Sequence, residues 1–207
     1  MTTRKGCRPL TDDEVQQLSD VYDTLIQNDI PEGTKLRDFT LIMFGFYVGS
    51  RISETLSLKV KDVYQYGRVS NSVYFKRENT KGQRQGRTGV INKECQELLT
   101  NYINHYSLHN NLDNHLFFSK KGNLKRSQAT KIISDTFHNI LELDGKLSTH
   151  TCRKTFARKG YEKLHDSLPD LKDCLGHTSL DSTLSYISHN NEKVNNFLDN
   201  LSYKNPN

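Results

Sequence analysis

The stretch Ser148-Thr149-His150-Thr151-Cys152-Arg153-Lys154-Thr155-Phe156-Ala157 decides how the rest of the chain is read. Ser148 or Thr149 can cap a helix that runs on to about Leu164. The spacing puts His150 and Arg153 on one face of that helix, near its start. Unpaired backbone N–H groups and the positive end of the helix dipole point the same way. An imidazole, a guanidinium and a helix N-terminus together suit a phosphate. Taken alone, a His and an Arg three residues apart are a common chance pairing.

Downstream stands Leu175-Gly176-His177-Thr178-Ser179-Leu180-Asp181-Ser182-Thr183-Leu184-Ser185-Tyr186. Gly176 closes a short helix, Leu168 to Leu175, and His177 leaves that turn. Tyr186 lies nine residues further, in a helix expected from Leu180 to Ile187. In isolation it reads as a half-buried core residue. Upstream, Gly49-Ser50-Arg51-Ile52-Ser53-Glu54 places an arginine just after a strongly apolar helix. Such an arginine needs a partner. Glu54 can take part of its donor fork and leave the remainder for an anion.

Between these segments the texture is mixed. Helices are expected from Thr11 or Asp12 through Leu25, from Thr34 to Val48, briefly at Ser53–Leu56, from Glu94 to Leu108 and from Gln128 to Leu141. Val63-Tyr64, Val73-Tyr74-Phe75 and Thr88-Gly89-Val90-Ile91 are short β-prone runs, expected to form one small antiparallel sheet of about three strands. The polar, basic segment from Arg77 to Arg87, with two glycines, has the composition of a hairpin connection. The fold class expected is mostly α with a small antiparallel β-sheet, an α+β arrangement.

Composition narrows the function. The chain holds 29 Lys and Arg against 24 Asp and Glu, a net charge of +5 that favours an acidic partner. No apolar run approaches a membrane span, and the first residues lack the apolar core of a signal peptide. Cys7, Cys95, Cys152 and Cys174 form no C-x-x-C pair, so they are expected as small thiols in a reducing cytoplasm. His105, His109 and His115 could be drawn as a metal site, but no acidic third ligand accompanies them. Neither a metal nor another cofactor is expected.

Taken in order, Gly-x-Arg-x-Ser-Glu, a hairpin lysine, His-x-x-Arg, Leu-Gly-His and a tyrosine nine residues later resemble the tyrosine recombinase, or phage integrase, family. The resemblance spans about residues 8 to 190. It implies the tyrosine recombinase catalytic-domain fold and a site-specific DNA recombinase. Tyr186 would attack a DNA phosphodiester, giving a 3′-phosphotyrosyl enzyme and a free 5′-hydroxyl. Arg51 and Arg153 would clamp the non-bridging oxygens, joined by His150 and His177, with His150 able to handle the tyrosine proton. Lys81 would protonate the leaving oxygen, although Lys76 and Arg84 stand near it. Glu54 would position Arg51. The chemistry is coherent: a phenol ionises near pH ~10, so fixed cations must favour its attack.

The family also frames the whole chain. Residues 1–10 read as a basic lead, 11–190 as the catalytic domain and 191–207 as a C-terminal helix and tail. The helix from Glu192 to Leu201 is expected to pack on its own domain or on a neighbouring protomer. Arg8 to Glu14 resembles the start of the catalytic domain, without the N-terminal core-binding domain of many relatives. In that respect the chain is similar to short, catalytic-domain-only recombinases such as fimbrial-switch inverters. Double-stranded DNA is the implied partner, met as a homo-tetramer through a Holliday junction, with an accessory protein able to add contacts. A cytoplasmic, nucleoid-associated location follows. Candidate phosphate contacts are Arg84, Arg87, Lys120, Lys121, Lys125, Arg126, Lys131, Lys154, Arg158 and Lys159. The alternatives are a type IB topoisomerase-like nicking-closing enzyme and a DNA-binding regulator that keeps the fold without the chemistry.

Overall fold

The apolar density from Phe39 to Val48 demands burial on nearly every side, and the fold is arranged to supply it. Helix α1 (Asp12–Gln27) precedes α2 (Lys35–Val48), in which Phe39, Leu41, Ile42, Met43, Phe44 and Val48 are all buried. Each large apolar side chain so buried contributes about 1.5–3 kcal/mol. The structure, a computed structural model, describes residues 6–27, 33–76, 86–165, 167–177, 179–184 and 186. After α2 come α3 (Ile52–Leu56), strands β1 (Tyr64–Gln65), β2 (Arg68–Val69), β3 (Ser72–Phe75) and β4 (Arg87–Val90), and α4 (Lys93–His105). Strands β5 (Phe118–Ser119) and β6 (Gly122–Asn123) lead to α5 (Arg126–Asp135), α6 (Thr149–Lys163), α7 (Leu168–Leu175) and α8 (Leu180–Leu184).

Helix α2 packs against α1, α3, α4, α5 and α6. Its closest neighbour crosses at Gly45, where an added Cβ would come 3.0 Å from Cys152 Cβ of α6. Two apolar clusters result. The larger runs from Leu10 through α2, α4 and α5 to Cys152, whereas Ala157, Leu171 and Leu175 form a separate small cluster with Phe156, Tyr161, Leu164 and Tyr186 around it.

The helix ends follow their local chemistry. Glu14 Oε2 accepts from the Thr11 backbone N–H at 2.8 Å while Thr11 Oγ1 accepts from Glu14 N–H at 3.2 Å, a reciprocal cap on α1. Gly49 ends α2 in the left-handed conformation, at φ 60°, and a side chain there would also collide with the Phe156 ring.

The strands depart from expectation. Among the described residues they form three separate two-stranded antiparallel hairpins, β1–β2, β3–β4 and β5–β6, and not one three-stranded sheet. Each hairpin packs on the helical core individually, so the β-prone runs need not pair with one another. The helix expected over Gln128–Leu141 starts at Arg126 and ends in a π turn, Thr136–Ile140, closed by Leu141 N–H to Thr136 O at 3.0 Å. The helix expected to reach Ile187 is described to Leu184, followed by Tyr186 in a turn. Lys81, Arg84 and the helix expected over 192–201 lie outside the described residues. Among the described residues, no helix is long and apolar enough to cross a membrane.

Candidate active site

Three helix ends converge to build the site. Ser148 caps α6: its Oγ accepts from His150 N–H at 3.3 Å, and its own N–H donates to Thr151 Oγ1 at 3.0 Å. That cap fixes the first turn, which carries His150. One turn on, Arg153 points inward and is 1% exposed. Its Nη1 donates to Gly49 O at the end of α2, and its Nη2 donates to Leu175 O at the end of α7 at 2.7 Å. One side chain therefore joins the C-termini of two helices, where carbonyls otherwise lack partners.

The same Nη2 lies 2.9 Å from His177 Nε2. A guanidinium only donates, so Nε2 accepts, and the ring proton sits on Nδ1, donated to Thr183 Oγ1 at 3.0 Å. Burial, then the neighbouring Arg153, Arg51 and Arg87, pushes the His177 imidazole down to about 4. His177 is thus neutral at physiological pH, as an acceptor must be. Gly176, at φ 62°, makes the turn before it, and a Cβ there would overlap the Arg87 side chain. Burial followed by the other arginines also lowers Arg153, to about 10. It remains charged at neutral pH.

Arg51 stands at the start of α3, its side chain 17% exposed. Its Nη1 donates to Glu54 Oε1 at 2.7 Å, and its backbone N–H donates to Glu54 Oε2 at 2.8 Å. Glu54 is fully buried and also receives Arg87 Nη2 at 2.8 Å. Burial alone would raise this carboxyl, but Arg87 and then Arg51 outweigh it and hold Glu54 below its ordinary value.

Tyr186 completes the arrangement. Its hydroxyl lies 3.4 Å from His150 Nδ1. Its ring sits 5.2 Å from the His177 ring, 5.7 Å from Arg153 Cζ and 6.0 Å from Lys154 Nζ, measured between centroids or to the centroid. Burial, then Arg153, Arg126, Lys154 and Arg51, lowers the His150 imidazole. A neutral Nδ1 can accept the tyrosine proton. The structure therefore brings together Arg51, Glu54, His150, Arg153, His177 and Tyr186, from the start of α3, the first turns of α6, the turn after α7 and the turn after α8.

The expected phosphate contacts divide. Lys120, Lys121, Lys125, Arg126, Lys131 and Lys159 are exposed, and Lys154 is half-buried beside Tyr186. Arg158 is committed to Asp12 at 2.5 Å and Glu162 at 3.3 Å. Arg87 is a correction: it is 9% exposed, ion-paired to Glu54 and stacked 4.4 Å from the Phe75 ring centroid, so it does not belong to a DNA-facing surface. Thr183 was missed as a site residue. Its place three residues before Tyr186 and six after His177 was the available signal.

A fold of helix ends converging on a tyrosine, two arginines and two histidines defines a class, and residues 8–193 match the phage integrase family. The chain belongs to that family. It is 30% identical over 182 residues to tyrosine recombinase XerH of Campylobacter jejuni, covering 86% of this chain and 48% of that one. It is 27% identical over 175 residues to tyrosine recombinase XerD of Corynebacterium glutamicum, covering 83% of this chain and 55% of the relative. The chain thus spans about half the length of these curated relatives. Among solved structures, XerH bound to palindromic difH substrate in a post-cleavage complex superposes with a TM-score of 0.75 at 22% identity, over 96% of this chain and 54% of that one. XerA recombinase superposes with a TM-score of 0.73 at 19% identity, over 98% and 68%. These two likenesses establish the tyrosine recombinase catalytic-domain fold.

Proposed function

We propose that this chain cuts and rejoins DNA through Tyr186, as a site-specific recombinase. The observation that carries the reading is the tyrosine hydroxyl 3.4 Å from His150 Nδ1, with its ring beside Arg153 and Lys154. Tyr186 Oη attacks phosphorus as its proton passes to His150 Nδ1. Arg51 and Arg153 stabilise the charge that builds on the non-bridging oxygens, a contribution of about 10²–10³ in rate per donor in comparable sites. The Arg153 Nε–H is buried without a hydrogen-bond partner among the described residues, a donor that an incoming phosphate oxygen would satisfy. The P–O5′ bond breaks, and the 5′-oxygen takes a proton from Lys81 and leaves. The phosphotyrosyl bond keeps the strand rejoinable, and attack by another 5′-hydroxyl exchanges strands.

Double-stranded DNA is the partner in this reading, with Lys120, Lys121, Lys125, Arg126 and Lys154 on its phosphates. Four copies would act across a Holliday junction, in the cytoplasm and on the nucleoid, with room for an accessory protein.

The test is a nicked suicide duplex, made from DNA flanking the gene, from which the cleaved fragment diffuses away. The wild type should form a covalent adduct on a denaturing gel, and Tyr186→Phe should form none. An adduct that persists in Tyr186→Phe overturns the assignment.

A further inference from the structure

Glu54 is a buried carboxylate shared by two arginines in unequal positions. Arg51, at 2.7 Å, opens to the site. Arg87, at 2.8 Å, does not. The Arg87 side chain is enclosed by the Phe75 ring on one side and by Gly176 on another, and its Nη1 donates to Cys174 O at 3.4 Å. It thereby ties β4 to α3 and to the end of α7. The strand itself is phased to deliver it. In β4, Arg87 and Gly89 face inward while Thr88 and Val90 face out, with Val90 73% exposed. A strand that exposes a valine in order to bury an arginine is organised around that arginine.

Two consequences follow from the geometry. A carboxylate carries one negative charge. Paired with Arg51 alone, it would neutralise the cation meant for a phosphate. Paired with two guanidiniums, it leaves the three-group cluster with one net positive charge, at the side where Arg51 is exposed. Arg87 also holds Glu54 Oε2, the oxygen that caps the Arg51 backbone N–H. It fixes both the charge and the angle of its neighbour's partner.

We propose that Arg87 is a positioning residue for the phosphate clamp, which occupies one oxygen of Glu54 so that Arg51 keeps its outward donors and its charge for the scissile phosphate. This rests on the recombinase reading for its function, but its structural core does not.

The probe is a nicked duplex library, randomised around the nick, from which the wild type captures its own substrate as a covalent adduct. Single-turnover adduct rate at saturating DNA and DNA affinity are then measured separately. Arg87→Met should slow adduct formation about 10- to 100-fold, the scale of a misplaced catalytic group, while Kd changes less than about threefold. Adding Glu54→Gln to Arg87→Met should recover part of the rate, because the surplus negative charge is removed. A raised Kd with an unchanged rate would make Arg87 an ordinary DNA contact and overturn the proposal. So would a double variant slower than both single ones.

Should Arg87→Met fail to fold, Arg87→Lys decides: it keeps the charge and should hold the rate within about tenfold of wild type. A rate as low as that of Arg51→Ala would refute charge sharing. An independent readout needs no cleavage at all. The arginine Nε–H NMR signal of Arg51, assigned with Arg51→Lys, should shift in Arg87→Met or Arg87→Lys. A shifted signal with no wild-type adduct would sustain the Arg87 role and remove the recombinase reading. An unmoved signal would remove the Arg87 role whatever the DNA does.

Discussion

Arg51 and Arg153 face one site but are held by opposite means. Arg153 is 1% exposed and is fixed by neutral acceptors: two main-chain carbonyls and an unprotonated imidazole. Arg51 has a side chain 17% exposed and is fixed by an ionised carboxylate. Neutral partners leave Arg153 its full charge, but they commit it to the fold. A charged partner lets Arg51 stand near solvent, but it takes part of the charge. One arginine belongs to the architecture and the other to the surface of the site.

The sharpest way to break this contrast is to truncate each arginine in turn. Arg153→Ala should abolish the adduct and, by stranding two buried carbonyls, destabilise the chain by roughly 3 kcal/mol or more in denaturant unfolding. Arg51→Ala should cost cleavage about 10²–10³-fold yet move stability by less than about 1 kcal/mol, because Glu54 keeps Arg87. Equal stability losses would erase the distinction.

Acid offers the next test. The His177 folded-state value, about 4, lies below its unfolded value near 6.5. The unfolded chain therefore binds more protons between those limits, and stability present above pH ~6.5 is lost as pH falls toward ~4. The size is about 3 kcal/mol. His177→Gln should reduce that slope to the part carried by His150, whose imidazole is also lowered, while retaining an acceptor for Arg153. An unchanged slope would place the titration elsewhere. The smallest effect expected is from Ser148→Ala, which removes the α6 cap for about 1 kcal/mol. Its cleavage loss should exceed what that stability change explains, since the cap fixes the turn bearing His150.

Helices were legible wherever apolar spacing and end chemistry agreed. Helix α2 was expected from Thr34 to Val48 and runs from Lys35 to Val48, closed by Gly49; α7 matches its expected bounds, Leu168 to Leu175. The hairpins were less legible. Strands of two residues carry too little alternation to reveal pairing. In the site, the motif residues were readable because their spacing on helices is rigid. Arg87 reads from sequence as the last residue of the basic hairpin loop, whereas it is the first residue of β4 and faces inward, a position that an arginine seldom takes. Its partner Glu54 lies thirty-three residues away, beyond any local pattern. The tautomer of His177 was equally out of reach, since it depends on Thr183 and Arg153 together.

The small cluster of Ala157, Leu171 and Leu175 has a consequence of its own. Tyr186 leans on these few residues, whereas α2 is anchored in the main core. Amide hydrogens of α7 and α8 should then exchange through openings that leave α2 protected. Tyr186 can then be displaced while the body of the protein stays intact. Heat or denaturant should loosen the end of the chain that carries it before unfolding the scaffold around α2.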